Sequence, residues 1–425
     1  MLNGALGLGV VLLSGLASAV QSVSAQETVV LHAETLLDGL GGTLSDRDVV
    51  IRDGLIAAIV PGGQGAGDAR YELGDLTLMP GLIDTHVHIG WHFDRATGMT
   101  HSGRVEESGE EHALYAAANA WTTLRSGVTT ASSLGAAVDL PLRESIARGS
   151  VPGPRLLTSV RAVNARTGGP EQIRAHVDRM AELGADAIKV FASASIRDGG
   201  VPTLSQDQLD AACGRAREHG LRSFVHAYDP ESVRRVVAAG CSQVEHGALL
   251  DRATLELMSE RGVFLDPHVD IVFRNYFENA ERFVGIGNYT EEGFAQMRVA
   301  QPRALKMFKQ ALQVPGLKIV FGTDAVAGSH GRNYQELLYR VEQGGQDAMA
   351  AVVSATSLAA EALVEPVQRI ENRRECFFIG VLRGRETGLV HAVVHIVVNA
   401  LVDRVDLGPQ RFGVVVALGV FRQRI

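Results

Sequence analysis

The sequence predicts an α/β chain: a (β/α)8 TIM-like barrel carrying a small N-terminal β domain. Three observations predict it. Residues 28–60 alternate apolar and polar positions in short runs, "TVVLHAETLLDG" and "RDVVIRDGLIAAIV", punctuated by Gly and Asp; period two is the signature of half-buried strands and hairpins. From Pro80 to about residue 362, eight short apolar runs alternate with amphipathic stretches, the rhythm of repeated βα units. Several of those runs end in His, Lys or Asp, and in such a barrel the strand ends share one mouth.

The elements follow in order. Gly4 to Ala19 is apolar and rich in small residues, and "QSVSAQE" follows. Residues 1–25 read as a signal peptide, with Val23 and Ala25 at the small-residue positions before a cut near Gln26. This predicts export to a periplasm or the cell exterior. A membrane anchor is the alternative, although the apolar run falls short of the about 20 residues a spanning helix needs. Residues 26–80 form the small β domain, read as a β-sandwich. Residues 81–362 form the barrel. Its strands are the runs "GLIDTHVH", "GVTTASSLG", "PRLLTSV", "AIKVFAS", "RSFVHAY", "QVEHG", "VFLDPHV" and "KIVFGTDA". Between them, stretches such as "EQIRAHVDRMAELG" and "PESVRRVVAAG" carry helical periodicity and end in the Gly that commonly follows a helix. From Leu363 onward, residues 363–425 are rich in Val and Arg and lack turn-and-hairpin logic.

Composition excludes other classes. Hydrophobic residues make up 46% of the 425, and the formal net charge is −8. The chain is therefore globular, with no general affinity for nucleic acid or anionic membranes; a small-molecule substrate is the partner implied, and a homo-oligomer stays open. The cysteines Cys213, Cys241 and Cys376 show no CxxC pairing and read as buried free thiols. Only four lysines occur, Lys189, Lys306, Lys309 and Lys318, and Lys189 lies between Ile188 and Val190 in an apolar run.

The chemistry concentrates at the run ends. His86 and His88 share one face of the first strand because side chains repeat with period two. Lys189 sits in the fourth strand, His226 and His246 end the fifth and sixth, and Asp324 ends the eighth. Neutral imidazoles suit Zn2+ and similar ions. A lysine buried among apolar residues must find a partner or lose its proton, and a neutral amine can add CO2 to form a carbamate. Asp324 can ligate an ion and exchange a proton with water.

"PGLIDTHVH", "ADAIKVFAS", "FVHA", "EHG" and "FGTDA" together resemble the amidohydrolase superfamily, in its binuclear, carbamylated-lysine branch. The resemblance runs from about residue 28 to 362. It implies two divalent metal ions of the Zn2+ type. His86, His88 and Asp324 would hold one ion, His226 and His246 the other, and the Lys189 carbamate would bridge them. It also implies hydrolysis of an amide, ester or related bond by a metal-bridging hydroxide, with Asp324 as base and then acid. Within the superfamily, prolidase-like dipeptidases, carboxypeptidases and N-acyl amino acid amide hydrolases are the nearest in pattern. They suggest Tyr228 as a contact for a substrate carboxylate; Arg197 and Arg332 follow the fourth and eighth strands, so either could pair with a carboxylate. Many relatives carry "TGGH" after the third strand. Here "TGGPE" replaces it, and His268 after the seventh strand is the candidate substitute. The leading expectation is release of a C-terminal amino acid from dipeptides or N-acyl amino acids. A lactonase or phosphotriester hydrolase, or an inactive metal-binding barrel, remain the alternatives. In relatives a Gly-rich segment and an "ADL"-type strand follow the last barrel helix and return to complete the small β domain; from Leu363 onward this tail departs from that pattern entirely. A shifted reading frame would produce such a tail and leave the β domain unfinished with an open edge; translating the other two frames of the gene tests this, and finding no "ADL"-like strand in either rules it out.

Overall fold

The computed structural model describes residues 28–52, 54–100, 107–363, 379–383 and 393–395. The signal-peptide reading and most of the tail lie outside the described residues. The first strand, β1 (Thr28–Leu37), pairs antiparallel with β2 (Thr43–Arg52), and β2 pairs with β3 (Leu55–Pro61). Two strands share the other edge of β1. Its first half runs parallel to β4 (Ala69–Glu72) and its second half to β5 (Thr77–Pro80). Leu31, Ala33, Leu36, Val49, Ile51 and Leu78 form the core of this domain. β3 alternates exposed and half-buried positions along its whole length, as a strand with one solvent face does.

The open edge expected after β5 is covered. β13 (Ile379–Arg383) pairs antiparallel with β5, Ile379 opposite Pro80 and Leu382 opposite Thr77, and β14 (Val393–His395) pairs with β13. Ladder hydrogen bonds come from the main chain, so a divergent sequence can still supply them.

The barrel follows. Its strands are β6 (Leu82–Val87), β7 (Val128–Ser133), β8 (Arg155–Thr158), β9 (Ala187–Phe191), β10 (Arg222–Ala227), β11 (Gln243–His246) and β12 (Phe264–Asp266). They pair parallel in two groups, β6-β7-β8 and β9-β10-β11-β12. Val163 N donates to Lys189 O and Phe191 N to Val163 O, which joins the groups beyond β8. Residues 318–325 take the eighth position as an irregular segment: Leu265 N donates to Lys318 O, Val320 N to Leu265 O, Thr85 N to Phe321 O and His88 N to Ala325 O. These bonds close the ring. The irregularity has a visible cause. A Cβ on Gly322 would lie 1.8 Å from Asp266 Oδ2, so the backbone there passes directly over a carboxylate, which only glycine allows.

The helices form as their termini dictate. Ser205 and Gln208 make a capping box at the start of Gln206–Glu218. Asp229 caps Pro230–Ala238, with Pro230 in the first turn where its missing N–H costs nothing. Val233, Val236 and Val237 bury the inner face of that second helix. The free-thiol reading is corrected at two positions: Cys213 and Cys241 form a disulfide with a Cα–Cα separation of 5.1 Å. Cys213 lies on the Gln206–Glu218 helix and Cys241 in the turn before β11. Their approach is a product of βα packing, which no local Cys spacing announces. Cys376 lies outside the described residues. Among the described residues, no helix is long and apolar enough to cross a membrane.

Candidate active site at the barrel mouth

The ends of β6, β9, β10, β11 and the eighth segment bring six side chains together. His86 Nδ1 lies 2.8 Å from Glu245 Oε2, so its Nε2 faces the cluster. That Nε2 stands 3.3 Å from His88 Nε2, 3.3 Å from Lys189 Nζ and 3.5 Å from Asp324 Oδ1. Asp324 Oδ1 is 3.0 Å from His88 Nε2. On the other side, His246 Nε2 and His226 Nδ1 approach to 2.9 Å. His246 and Asp324 hold positive φ values of 72° and 50°, and so does His268, at 42°. For residues other than glycine this costs about 1–3 kcal/mol each and marks places where the surroundings force the backbone. Here it turns side chains inward at the strand ends.

Burial and charge set the protonation states. Burial drives the His86 and His246 imidazoles well below their ordinary range, with neighbouring cations adding to the effect. Burial, then the Lys189 charge, lowers His226 to about 3. All three rings are thereby held neutral, the form that ligates metals. Burial also lowers the Lys189 amine, against the opposing pull of Glu245, Asp324 and Asp266. Asp324 behaves the other way. Burial alone would raise its carboxyl, but the His88 hydrogen bond and charge, with His268 and Lys189, hold it below its usual value.

This donor set fits a pair of divalent ions. Ring nitrogens, an amine and a carboxylate oxygen converge at 2.9–3.5 Å. His226 Nδ1 and His246 Nε2 face each other, as two ligands of one centre would. Four imidazoles and a lysine crowded at these distances otherwise have few hydrogen-bond partners to share.

Other groups brace the cluster, and the sequence reading did not single them out. Asp84 accepts from His86 N, Thr323 N, Thr323 Oγ1 and Asn333 Nδ2, tying β6 to the eighth segment. Burial raises its carboxyl to about 7. Glu245 and Asp266 lie beneath the histidines, fully buried. A carboxylate inside a four-residue buried strand, as in "QVEH", was the available signal.

The cluster lines a cavity of about 160 Å³, whose other walls include Trp91, Phe191, Tyr228, Tyr276, Tyr289 and Arg197. Tyr228 stacks on His246 at 4.8 Å between centroids, and burial raises its phenol, keeping it a proton donor. Arg197 lies over the Tyr289 ring at 3.9 Å and donates from Nε to Asn288 Oδ1 at 3.0 Å. Arg197 and Tyr228 both line the cavity. Arg332 does not join them: it pairs with Glu278 at 2.6 Å and lines no part of the cavity. His268 also stays out of it. It is fully buried behind His246, with Nδ1 3.0 Å from His246 Nδ1 and Nε2 3.1 Å from Asp266 Oδ2. Burial would lower His268, but the charges of Asp266, Glu245 and Asp324 raise it to about 9. It braces the cluster, its ring beside His246 and close to Asp324.

The amidohydrolase family model matches residues 77–366, which is most of the barrel and the strand leading into it. The chain belongs to the amidohydrolase family. Among relatives of this amidohydrolase, ochratoxinase of Aspergillus niger is 25% identical over 386 residues, covering 80% of this chain and 77% of that protein. A dihydroorotase of Anaeromyxobacter dehalogenans is 25% identical over 213 residues, covering 48% of this chain and 42% of that protein. A Xaa-Pro dipeptidase structure with bound methionine in the active site superposes with a TM-score of 0.73 at 28% identity, covering 84% of this chain and 94% of that one. The A. niger ochratoxinase structure superposes with a TM-score of 0.71 at 20% identity, covering 85% and 90%. This amidohydrolase is a metal-dependent hydrolase acting on amide bonds, with a small-molecule substrate.

Proposed function

We propose that this amidohydrolase releases a C-terminal amino acid from dipeptides or N-acyl amino acids. The observation that carries the reading is the pairing of two features. Four histidines, Lys189 and Asp324 cluster at the barrel mouth, and Arg197 and Tyr228 line the same cavity. His86, His88 and Asp324 would hold one divalent ion of the Zn2+ type, and His226 and His246 a second. Lys189 would stand between them as a carbamate, formed when its neutral amine adds CO2 and releases a proton. The ions, when bound, acidify water and polarise the scissile carbonyl.

The chain's own residues do the rest. Tyr228 and Arg197 bind the substrate's free carboxylate by charge-assisted hydrogen bonds and thereby place the amide over Asp324. Asp324 takes the proton of the attacking water as its oxygen bonds to the carbonyl carbon. It returns that proton to the amide nitrogen as the C–N bond breaks. The products are a carboxylic acid and a free amino acid. A cavity of about 160 Å³ is smaller than the roughly 300–1,000 Å³ of drug-sized pockets. It suits a single amino acid end, with the acyl portion leaving through the opening. The Cys213–Cys241 disulfide supports the export reading, because disulfides persist chiefly in oxidising compartments.

The test is a matched panel of N-acyl amino acids and dipeptides, each with a free or an amidated C-terminus. Free acids should be cleaved and their amides turned over poorly. In Tyr228→Phe, kcat/KM for the free acids alone should fall about 10- to 150-fold, because a hydrogen bond to a charged group is worth about 1.5–3 kcal/mol. Equal loss for acids and amides would remove the carboxylate from the reading. Turnover confined to lactones or phosphotriesters would replace it.

A further inference from the structure

A second set of ligating side chains lies in the segment after β6, apart from the barrel-mouth cluster. His92 Nδ1 and His112 Nε2 each lie 3.0 Å from the same acceptor, the Gly90 carbonyl oxygen. A carbonyl can only accept, so both of these nitrogens carry hydrogens. In the neutral rings this leaves the lone pairs on His92 Nε2 and His112 Nδ1. Both of those atoms face Glu107: His92 Nε2 is 3.1 Å from Oε2 and His112 Nδ1 is 3.5 Å from Oε1. A cation between them reconciles lone pairs with a carboxylate at these distances. Two ligands each about 2.1 Å from a tetrahedral ion lie about 3.4 Å apart, which is close to the spacing found.

We propose that His92, Glu107 and His112 form a third metal site, structural in role and suited to a Zn2+-like ion. Two imidazoles and a carboxylate are the donor types such an ion takes. The backbone carbonyl holding the far nitrogen of each ring is the usual means of fixing a ligand's tautomer and orientation. Several features show the site is built. His92 is buried and lies flat on Tyr115, ring centroids 3.8 Å apart and planes within 10°. A Cβ on Gly90 would meet His112 Nε2 at 2.8 Å, so glycine is what lets both rings reach one carbonyl. The ligands come from two parts of the chain: His92 from the segment leaving β6, Glu107 from just before the N-cap of the helix Gly109–Arg125 and His112 from that helix's start. An ion here would clamp that segment to the helix two residues beyond Gly90 and four beyond His88. It would steady the stretch that carries Trp91 into the cavity. The site does not depend on the hydrolase reading, since none of its residues line the barrel-mouth cavity.

Zinc is the probe. Crystals of the full chain equilibrated with excess Zn2+ should give an anomalous peak at the zinc edge among His92 Nε2, Glu107 and His112 Nδ1, distinct from any at the barrel mouth. In solution, Glu107→Gln and His112→Gln should each bind one equivalent of zinc fewer than the parent while keeping ions at His86 and His226. The parent should also show a zinc-dependent rise in Tm larger than either variant's. No anomalous peak within the triad, with the imidazole–carboxylate contacts intact, would overturn the proposal: the rings would then be imidazolium cations paired with Glu107. An unchanged zinc count in folded variants would overturn it equally.

Discussion

Asp324 is placed for the two tasks proposed for it. Its backbone is held at φ 50°, its Oδ1 sits 3.0 Å from His88 and 3.5 Å from His86, and neighbouring positive charge offsets burial to keep it ionised. An ionised carboxylate can accept a proton at once, and the same neighbours make it ready to release one. Asp324→Asn preserves the size and loses the proton acceptor. Turnover should fall by at least about 10²–10⁴-fold, the usual worth of acid–base assistance, while the circular dichroism spectrum stays unchanged. A kcat within a factor of a few of the parent would take Asp324 out of the proton transfer. At this scale the sequence was informative where chemistry overrides local preference. A lysine inside "AIKVF" and histidines alternating in "THVH" are costly in a buried strand, so their presence signals a site. Arg197 was harder to place. Its surroundings, Tyr276, Tyr289 and Asn288, arrive from a segment about 90 residues away; Arg332 was hard for the same reason, since its partner Glu278 is also distant in sequence.

Among the elements, the strands of the barrel were legible because each is a short β-branched or apolar run bounded by Gly, Asp or a helical stretch. β8 and β12 are only four and three residues long, yet their runs stood out by the amphipathic helices flanking them. The Cys213–Cys241 bond was not legible, because its partners meet only through the packing of a helix onto the strands. It closes a loop with a sequence separation of 28. Removing such a link typically costs about 2–4 kcal/mol, so Cys213→Ser should lower the denaturant midpoint by a corresponding amount. Reducing agent should lower the parent's midpoint similarly and leave the variant's unchanged. An identical midpoint in parent and variant would mean the bond adds nothing to stability. In the β domain, Asp48 on β2 accepts from Arg70, from Gly65 N and from His32. The Arg70 hydrogen bond above all, helped by the Gly65 and His32 bonds and resisted by burial, holds its carboxyl well below the usual range. A depressed folded value contributes stability that is present above the unfolded value, about 4, and lost as pH falls below it. The parent should therefore weaken between about pH 4 and 2 by more than Asp48→Asn does. Parallel pH profiles for the two would show that Asp48 carries no such linkage.

At the scale of the whole molecule, apolar packing and buried charge are interleaved along the same strands. Helices and an apolar core such as Ile173, Val177, Ile188 and Val225 surround a barrel whose mouth gathers buried charge: Asp84, Lys189, Glu245, Asp266 and the histidines. Such groups are tolerated only when they are paired or bind ions. In the proposed hydrolytic centre, the Lys189 carbamate would join two ions. The metal content of Lys189→Ala, measured by elemental analysis beside turnover of an N-acyl amino acid, tests this directly. Loss of most bound metal at the barrel mouth and of nearly all activity is expected, with partial return of both when a short-chain carboxylate such as propionate is added. Unchanged metal stoichiometry with activity near that of the parent would contradict it.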